Sequence, residues 1–331
     1  MKLVPTLAIA VAGAALLSSC SATDSPTSYD SPATTAAESA AFPVTITNCG
    51  REVVVNSEPE RIFMVNSDDI SFLSALDALD RVIARTADPV AGVYPAEVEE
   101  QVLSIPLTST ENNATGGSVI STEAIIASEP DLVLAPESAV DVEALAAAGI
   151  AAYSPPAYCE EPEAVTTATF DMVYEQVETY GVLLGQQEEA ASLITELKDQ
   201  VQEPAPSQGT GIALYVPEGG GTLYPYGAPS MITPIFAAAG LDNVYADSDE
   251  RVFEVNLEDM IQRDPETVVL LYSDGTPEAA VANFMGVNGV QELSAVKNDR
   301  VVTLQFPFTD PPNPLSVAGV GKLTEALDTL S

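Results

Sequence analysis

The chain has 331 residues, of which 46% are apolar and 18% charged, with no His, no Trp and a formal net charge of −38. A field this negative repels nucleic acid and anionic membrane surfaces, and the lack of His removes the usual catalytic base and the commonest metal ligand. The length exceeds one ordinary domain and admits two lobes.

Residues 1–20, MKLVPTLAIAVAGAALLSSC, combine one Lys, an apolar run, small residues and Cys20. They read as a secretion signal, because the run from Leu3 to Leu17 is too short to span a bilayer comfortably. LSSC resembles a bacterial lipobox, which implies a signal peptide over 1–19, cleavage before Cys20 and a lipid anchor on that Cys. An ordinary secretory signal with an incidental Cys is the alternative. Residues 20–43 are Ser, Thr, Ala and Pro with little to bury, a composition suited to a flexible tether. In an oxidising compartment the remaining Cys49 and Cys159 most simply form one disulfide, and without His or a clustered Cys pair no metal centre is expected.

Residues 44–165 alternate strands and helices. VTITNCGREVVVNSEP reads as a hairpin turning at Asn48 and Gly50, RIFMVN as a buried strand, and SDDISFLSALDALD as a helix whose opening amides Ser67 and Asp68 can cap. RVIARTA is the next strand, while 88–110 is a loop and helix region without finer placement. STEAIIASEPDLVLA then gives a helix stopped by Pro130 and a strand, and AVDVEALAAAG and IAAYSP repeat the unit with Gly149 at the helix end. The alternation implies a parallel sheet covered on both faces.

Residues 166–200 change pattern: Phe170, Val173, Val177 and Leu184 form one apolar stripe with no strand between them. A single continuous helix over 166–197 would span roughly 48 Å, with Gly181 and Gly185 as close-packing or bending positions. Residues 201–331 return to α/β alternation through GIALYVP, PSMITPIFAAAG, NLEDMIQRDPETVVLLY, RVVTLQF and a terminal helical pattern. The expected fold is therefore α/β, with two Rossmann-like lobes of parallel-rich sheets joined by one long interlobe helix.

The succession REVVVNSEPERIFMVN, STEAIIASEPDLVLA, ETYGVLLGQQEEAASLITEL, AAAGLDNVYAD, NLEDMIQRDPETVVLLY and AVKNDRVVTL resembles the helical-backbone class of ABC-importer substrate-binding proteins, carriers of iron–siderophore, haem and vitamin B12 complexes. The resemblance covers roughly residues 45–330. It implies a monomeric, non-catalytic, extracytoplasmic receptor anchored to the bacterial membrane, with an ABC permease dimer and its ATPase as partners. It also implies one acidic side chain per lobe docking on basic permease residues. Glu123 and Glu258, each at the start of a helix before a Pro-acid-strand unit, match those places.

Ligands of open α/β sheets approach the loops beyond the strand C-termini. That rule selects Asp68, Arg85 and Tyr158 in the N-terminal lobe and Tyr224, Tyr226, Tyr272 and Phe308 in the C-terminal lobe as the ligand-binding set. Tyr and Phe faces suit a bulky chelate. The glycines at 219–221 lack the Lys and helix context of a phosphate loop. With only seven arginines in the chain, a neutral or cationic cargo such as an iron(III) hydroxamate siderophore is expected ahead of an anionic catecholate, although Arg85 or Arg251 leaves room for one anion. Haem, by a Tyr ligand, and vitamin B12 are alternatives, as is a surface adhesion lipoprotein. Enzymatic function is not expected: no G-x-S-x-G elbow and no Walker motif is present.

Overall fold

A computed structural model describes residues 42–108, 120–161, 165–201, 204–215, 217, 222–273 and 275–330. The expected signal peptide, Cys20 and the tether up to residue 41 lie outside them. Strands β1 (Val44–Asn48) and β2 (Arg51–Val55) form an antiparallel hairpin, turning through Cys49 and Gly50 at φ of 48° and 71°. The Cys49–Cys159 disulfide ties this turn to the loop that follows the strand Ala151–Tyr153, with Cα atoms 5.3 Å apart. Two buried hydrogen bonds of 2.8 Å between the Asn48 amide and the Ser154 backbone brace the same junction.

The N-terminal lobe is a four-stranded parallel sheet in the order β4-β3-β5-β6. Its strands are β3 (Ile62–Met64), β4 (Val82–Arg85), β5 (Leu132–Leu134) and β6 (Ala151–Tyr153). IFM, LVL and AAY are buried at every position, as a sheet covered on both faces requires. The stretch 88–110, unplaced by sequence, contributes the helix Ala96–Ser104. In the C-terminal lobe β11-β10-β7-β8 lie side by side and β9 pairs with β7. Here β7 is Gly209–Tyr215, β8 Tyr224–Pro225, β9 Leu241–Asn243, β10 Thr267–Tyr272 and β11 Val301–Gln305. All pairings are parallel except β8 against β7.

Two 14-residue helices, Asp171–Leu184 and Gln187–Gln200, stand where one continuous helix was expected. Gly185 ends the first in the left-handed region at φ 72°, and the Gln186 N–H folds back to the Gly181 carbonyl at 2.7 Å. A Cβ on Gly181 would lie 2.5 Å from the Ala190 Cβ, so the missing side chain is what lets the second helix pack on the first. Val173, Val177 and Leu184 of the expected stripe are fully buried.

Each sheet packs one face under its own outer helices, giving separate hydrophobic clusters around Phe63 and Leu145 and around Phe284 and Met260. The inner faces merge through the two linking helices and the C-terminal helix Pro314–Asp328 into one larger cluster. The two lobes therefore have distinct sheets but a continuous inner core.

Candidate ligand cleft between the lobes

The loops leaving β3 and β6 bring Asp68 and Tyr158 together. The Tyr158 hydroxyl donates to Asp68 Oδ2 at 2.7 Å, and the Asn66 side chain donates to the same oxygen at 3.3 Å. Asp68 Oδ1 receives no donor among the described residues. The helix after this loop begins at Ile70 with no side-chain cap. Ser67 supplies only its carbonyl to the Ile70 N–H, so the expected capping by Ser67 and Asp68 does not occur and Asp68 is left for the cleft.

The C-terminal lobe opposes this pair with Arg251, Asp310 and Tyr226. Arg251 is carried beside the Tyr226 turn, where Tyr226 bridges Val252 and the Gly227 N–H reaches the Arg251 carbonyl at 3.1 Å. Its guanidinium pairs with Asp310, which is fully buried and whose other oxygen accepts the Met231 N–H at 3.1 Å. Burial pushes the Asp310 carboxyl up, and the Arg251 pair and the Met231 N–H act against it. Asp310 in turn raises the Arg251 guanidinium further. Asp68 is also pushed up by burial; the Tyr158 hydrogen bond and Arg251 lower it, while Asp310 adds to the rise. The charged groups of the two lobes thus act on one another across the cleft. Burial raises the phenols of Tyr158 and Tyr226 above the usual range, so both remain neutral donors.

Asp69 turns the opposite way. It is fully buried, its Oδ1 accepts the Tyr180 hydroxyl, and its Oδ2 has no partner. Tyr180 stacks on Phe72 with ring centroids 4.1 Å apart and meets Tyr153 edge-on at 5.2 Å. Burial in this aromatic box pushes the Asp69 carboxyl up to about 7, with Asp68 adding to the rise.

A cavity of about 10 Å³, bordered by Ser67, Asp68, Tyr94, Pro307 and Leu315, lies where the lobes meet and has room for a single water at most. Beside it a groove of about 410 Å³ runs between Gly92 and Val93 on one side and Tyr272, Gln305, Phe308 and Lys322 on the other. Gln305 Nε2 crosses the lobes to the Ala91 carbonyl at 3.0 Å.

Of the expected ligand residues, Asp68, Tyr158 and Tyr226 converge at the lobe junction, and Tyr272 and Phe308 line the groove. Tyr224 is half-buried and points its hydroxyl at Glu254, 3.4 Å away. Arg85 joins neither group. Its side chain is 4% exposed, with Nε bonded to the Val102 and Ile105 carbonyls and Nη1 to the Ala87 carbonyl and Asp88, so it fastens the helix Ala96–Ser104 to β4. Asp310 and Tyr94 were missed, and Arg251 entered only as an alternative. The strand-end rule stopped at Phe308, although an Asp in the proline-rich segment directly after β11 was a usable signal.

Glu123 and Glu258 occupy the same position in two capped helices, Thr122–Ala127 and Leu257–Arg263. Ser121 accepts the Ala124 N–H at 3.2 Å and Asn256 accepts the Asp259 N–H at 2.9 Å. Both carboxylates are exposed and form no ion pair among the described residues. Asp259 differs: it accepts the Tyr245 hydroxyl and Arg263 Nε.

Two α/β lobes linked by helices and meeting over a polar cleft define a solute-binding protein of the helical-backbone class. Residues 62–307 match the periplasmic binding protein family, and the chain belongs to that family. It is accordingly an extracytoplasmic, non-catalytic solute-binding protein that works with an ABC permease and its ATPase. A solved ABC-type Fe3+-hydroxamate transport system from Saccharomonospora viridis is 40% identical, with 86% of this chain and 99% of that chain covered and a TM-score of 0.77. An uncharacterized ABC transporter substrate-binding lipoprotein, YvrC of Bacillus subtilis, is 25% identical over 303 residues, covering 86% of each chain. A cobalamin-binding protein of Halobacterium salinarum is 25% identical over 297 residues, covering 86% of this chain and 74% of its own.

Proposed function

We propose that this protein is a lipid-anchored receptor, held through Cys20, that captures an iron(III) hydroxamate siderophore and delivers it to an ABC importer. The observation that carries the reading is the 40% identity, over nearly the whole described chain, to the Fe3+-hydroxamate system of Saccharomonospora viridis. The charge of the cleft supports it: Asp68 and Asp310 face a single guanidinium, Arg251, a balance that disfavours a trianionic catecholate complex. Glu123 and Glu258 are the permease-docking carboxylates, one on each lobe. Tyr158, Tyr226, Tyr272 and Phe308 supply the aromatic and hydroxyl contacts to the chelate, and Asp68 the charge.

Cobalamin is the second reading, favoured by the Halobacterium relative. Titration of the full chain in detergent with ferric hydroxamates, a ferric catecholate, haem and cobalamin distinguishes the two. Saturable one-to-one binding of a hydroxamate with no response to cobalamin is expected. Binding of cobalamin alone transfers the assignment, and binding of none of them by folded protein removes it.

A further inference from the structure

We propose that Asp68 selects for cargo bearing a positive charge, so that the preferred chelate is a hydroxamate with a pendant ammonium rather than a neutral one. This deepens the hydroxamate reading and rests on it.

Charge pairing at the lobe junction is incomplete by one cation. Asp310 is satisfied on both oxygens, by Arg251 and by the Met231 N–H. Arg251 is thereby committed, and among the described residues no second cation acts on Asp68 or Asp310. Asp68 receives only neutral donors, from Tyr158 and Asn66, and both go to Oδ2. Its Oδ1 has no donor among the described residues, and the side chain borders the cavity between the lobes. Carboxylates withdrawn from water are kept ionised by a paired cation, and one without such a partner is unfavourable until a ligand brings it. Asp69, directly behind, cannot relieve Asp68, because it faces Tyr180 and is itself without a cation. Tyr94 and Tyr153 border the same group as neutral phenols.

An ammonium placed at Asp68 Oδ1 would restore the balance, beside the Tyr158 hydroxyl that already holds Oδ2. The groups facing Asp68 are Tyr158, Arg251, Asp310, Asp69, Tyr94 and Tyr180. Burial pushes the carboxyls of Asp68, Asp69 and Asp310 up, and a cation bound at Asp68 favours its ionised form.

Ferrioxamine B, a ferric trihydroxamate with one free ammonium, and its neutral N-acetyl derivative are the probes, titrated against the full chain in detergent. A charge-assisted hydrogen bond predicts that ferrioxamine B binds about 10- to 100-fold tighter. Asp68→Asn should remove the advantage of ferrioxamine B over the acetyl derivative, whatever the change in the affinity common to both. Equal wild-type affinities for the two probes overturn the inference and leave the hydroxamate reading standing. A preference that survives Asp68→Asn overturns the assignment to Asp68, and failure of both probes to bind overturns the inference together with the reading beneath it. The wild-type comparison needs no variant and decides the question of charge if Asp68→Asn does not fold.

Discussion

Replacing Asp69 with Asn isolates one buried carboxyl and turns its environment into a pH profile. In the unfolded chain this group has its ordinary value of 3.8, and in the folded chain burial raises it to about 7. Below the lower value both states hold the proton and the group costs nothing. Between the two values the folded state keeps a proton that the unfolded state has released, so the native state loses stability as pH rises through this window. Above about 7 both states are ionised and the full penalty is present, roughly 4 kcal/mol for a rise from 3.8 to about 7. The amide of Asp69→Asn does not titrate, but it leaves an NH2 where Oδ2 already lacks a partner, at a pH-independent cost of about 1–3 kcal/mol. The difference in unfolding free energy between variant and wild type should therefore move in favour of the variant from about pH 4 to about pH 7 and then level off. Urea unfolding of both proteins across that range measures it, and contributions from other carboxyls cancel in the difference. Parallel profiles, within about 0.5 kcal/mol at every pH, would refute the argument that burial holds Asp69 protonated against the pull of the Tyr180 hydroxyl.

Removing the disulfide with Cys49→Ala and Cys159→Ala opens a loop of sequence separation 110, which chain entropy values at roughly 4–5 kcal/mol, read as a lowered urea midpoint, with a slope that rises as the uncrosslinked denatured state expands. Arg85→Met withdraws the buried guanidinium from the carbonyls of Ala87, Val102 and Ile105 and should cost about 2–4 kcal/mol of stability. Its folded fraction should bind cargo like wild type, and a selective affinity loss without destabilisation would return Arg85 to the cleft. The double variant Glu123→Ala, Glu258→Ala should keep cargo affinity and change stability by no more than about 0.5 kcal/mol per site, since both side chains are exposed. Uptake should fall, and equal uptake at matched surface abundance would end the docking role.

Periodicity and punctuation made the elements readable because they are local. Runs such as FM in β3 and LVL in β5 are apolar because parallel strands are covered on both faces. Pro130 and Gly149 stop helices by backbone chemistry that no tertiary contact overrides. Gly185 was legible only as a possible bend: a left-handed residue there splits the linker in two, and whether a Gly takes that conformation depends on the close approach of Ala190 to Gly181. Arg85 shows the opposite failure, since the position after a strand is open to a ligand until a neighbouring helix occupies it.

The amino-acid order by itself determined the α/β class, the two lobes, the pairing of Cys49 with Cys159 and the matched placement of Glu123 and Glu258, because each follows from hydrophobic pattern, residue count or helix-start chemistry. Which strand-end side chains meet across the lobes, and which are tied up elsewhere, was decided by tertiary structure. Asp68 and Asp69 are adjacent and chemically identical, yet one faces Arg251 and Asp310 across the lobes and the other is sealed against Tyr180. Successive side chains at a helix entrance point in different directions, and what each one meets is set by groups far away in the chain, which no local pattern encodes.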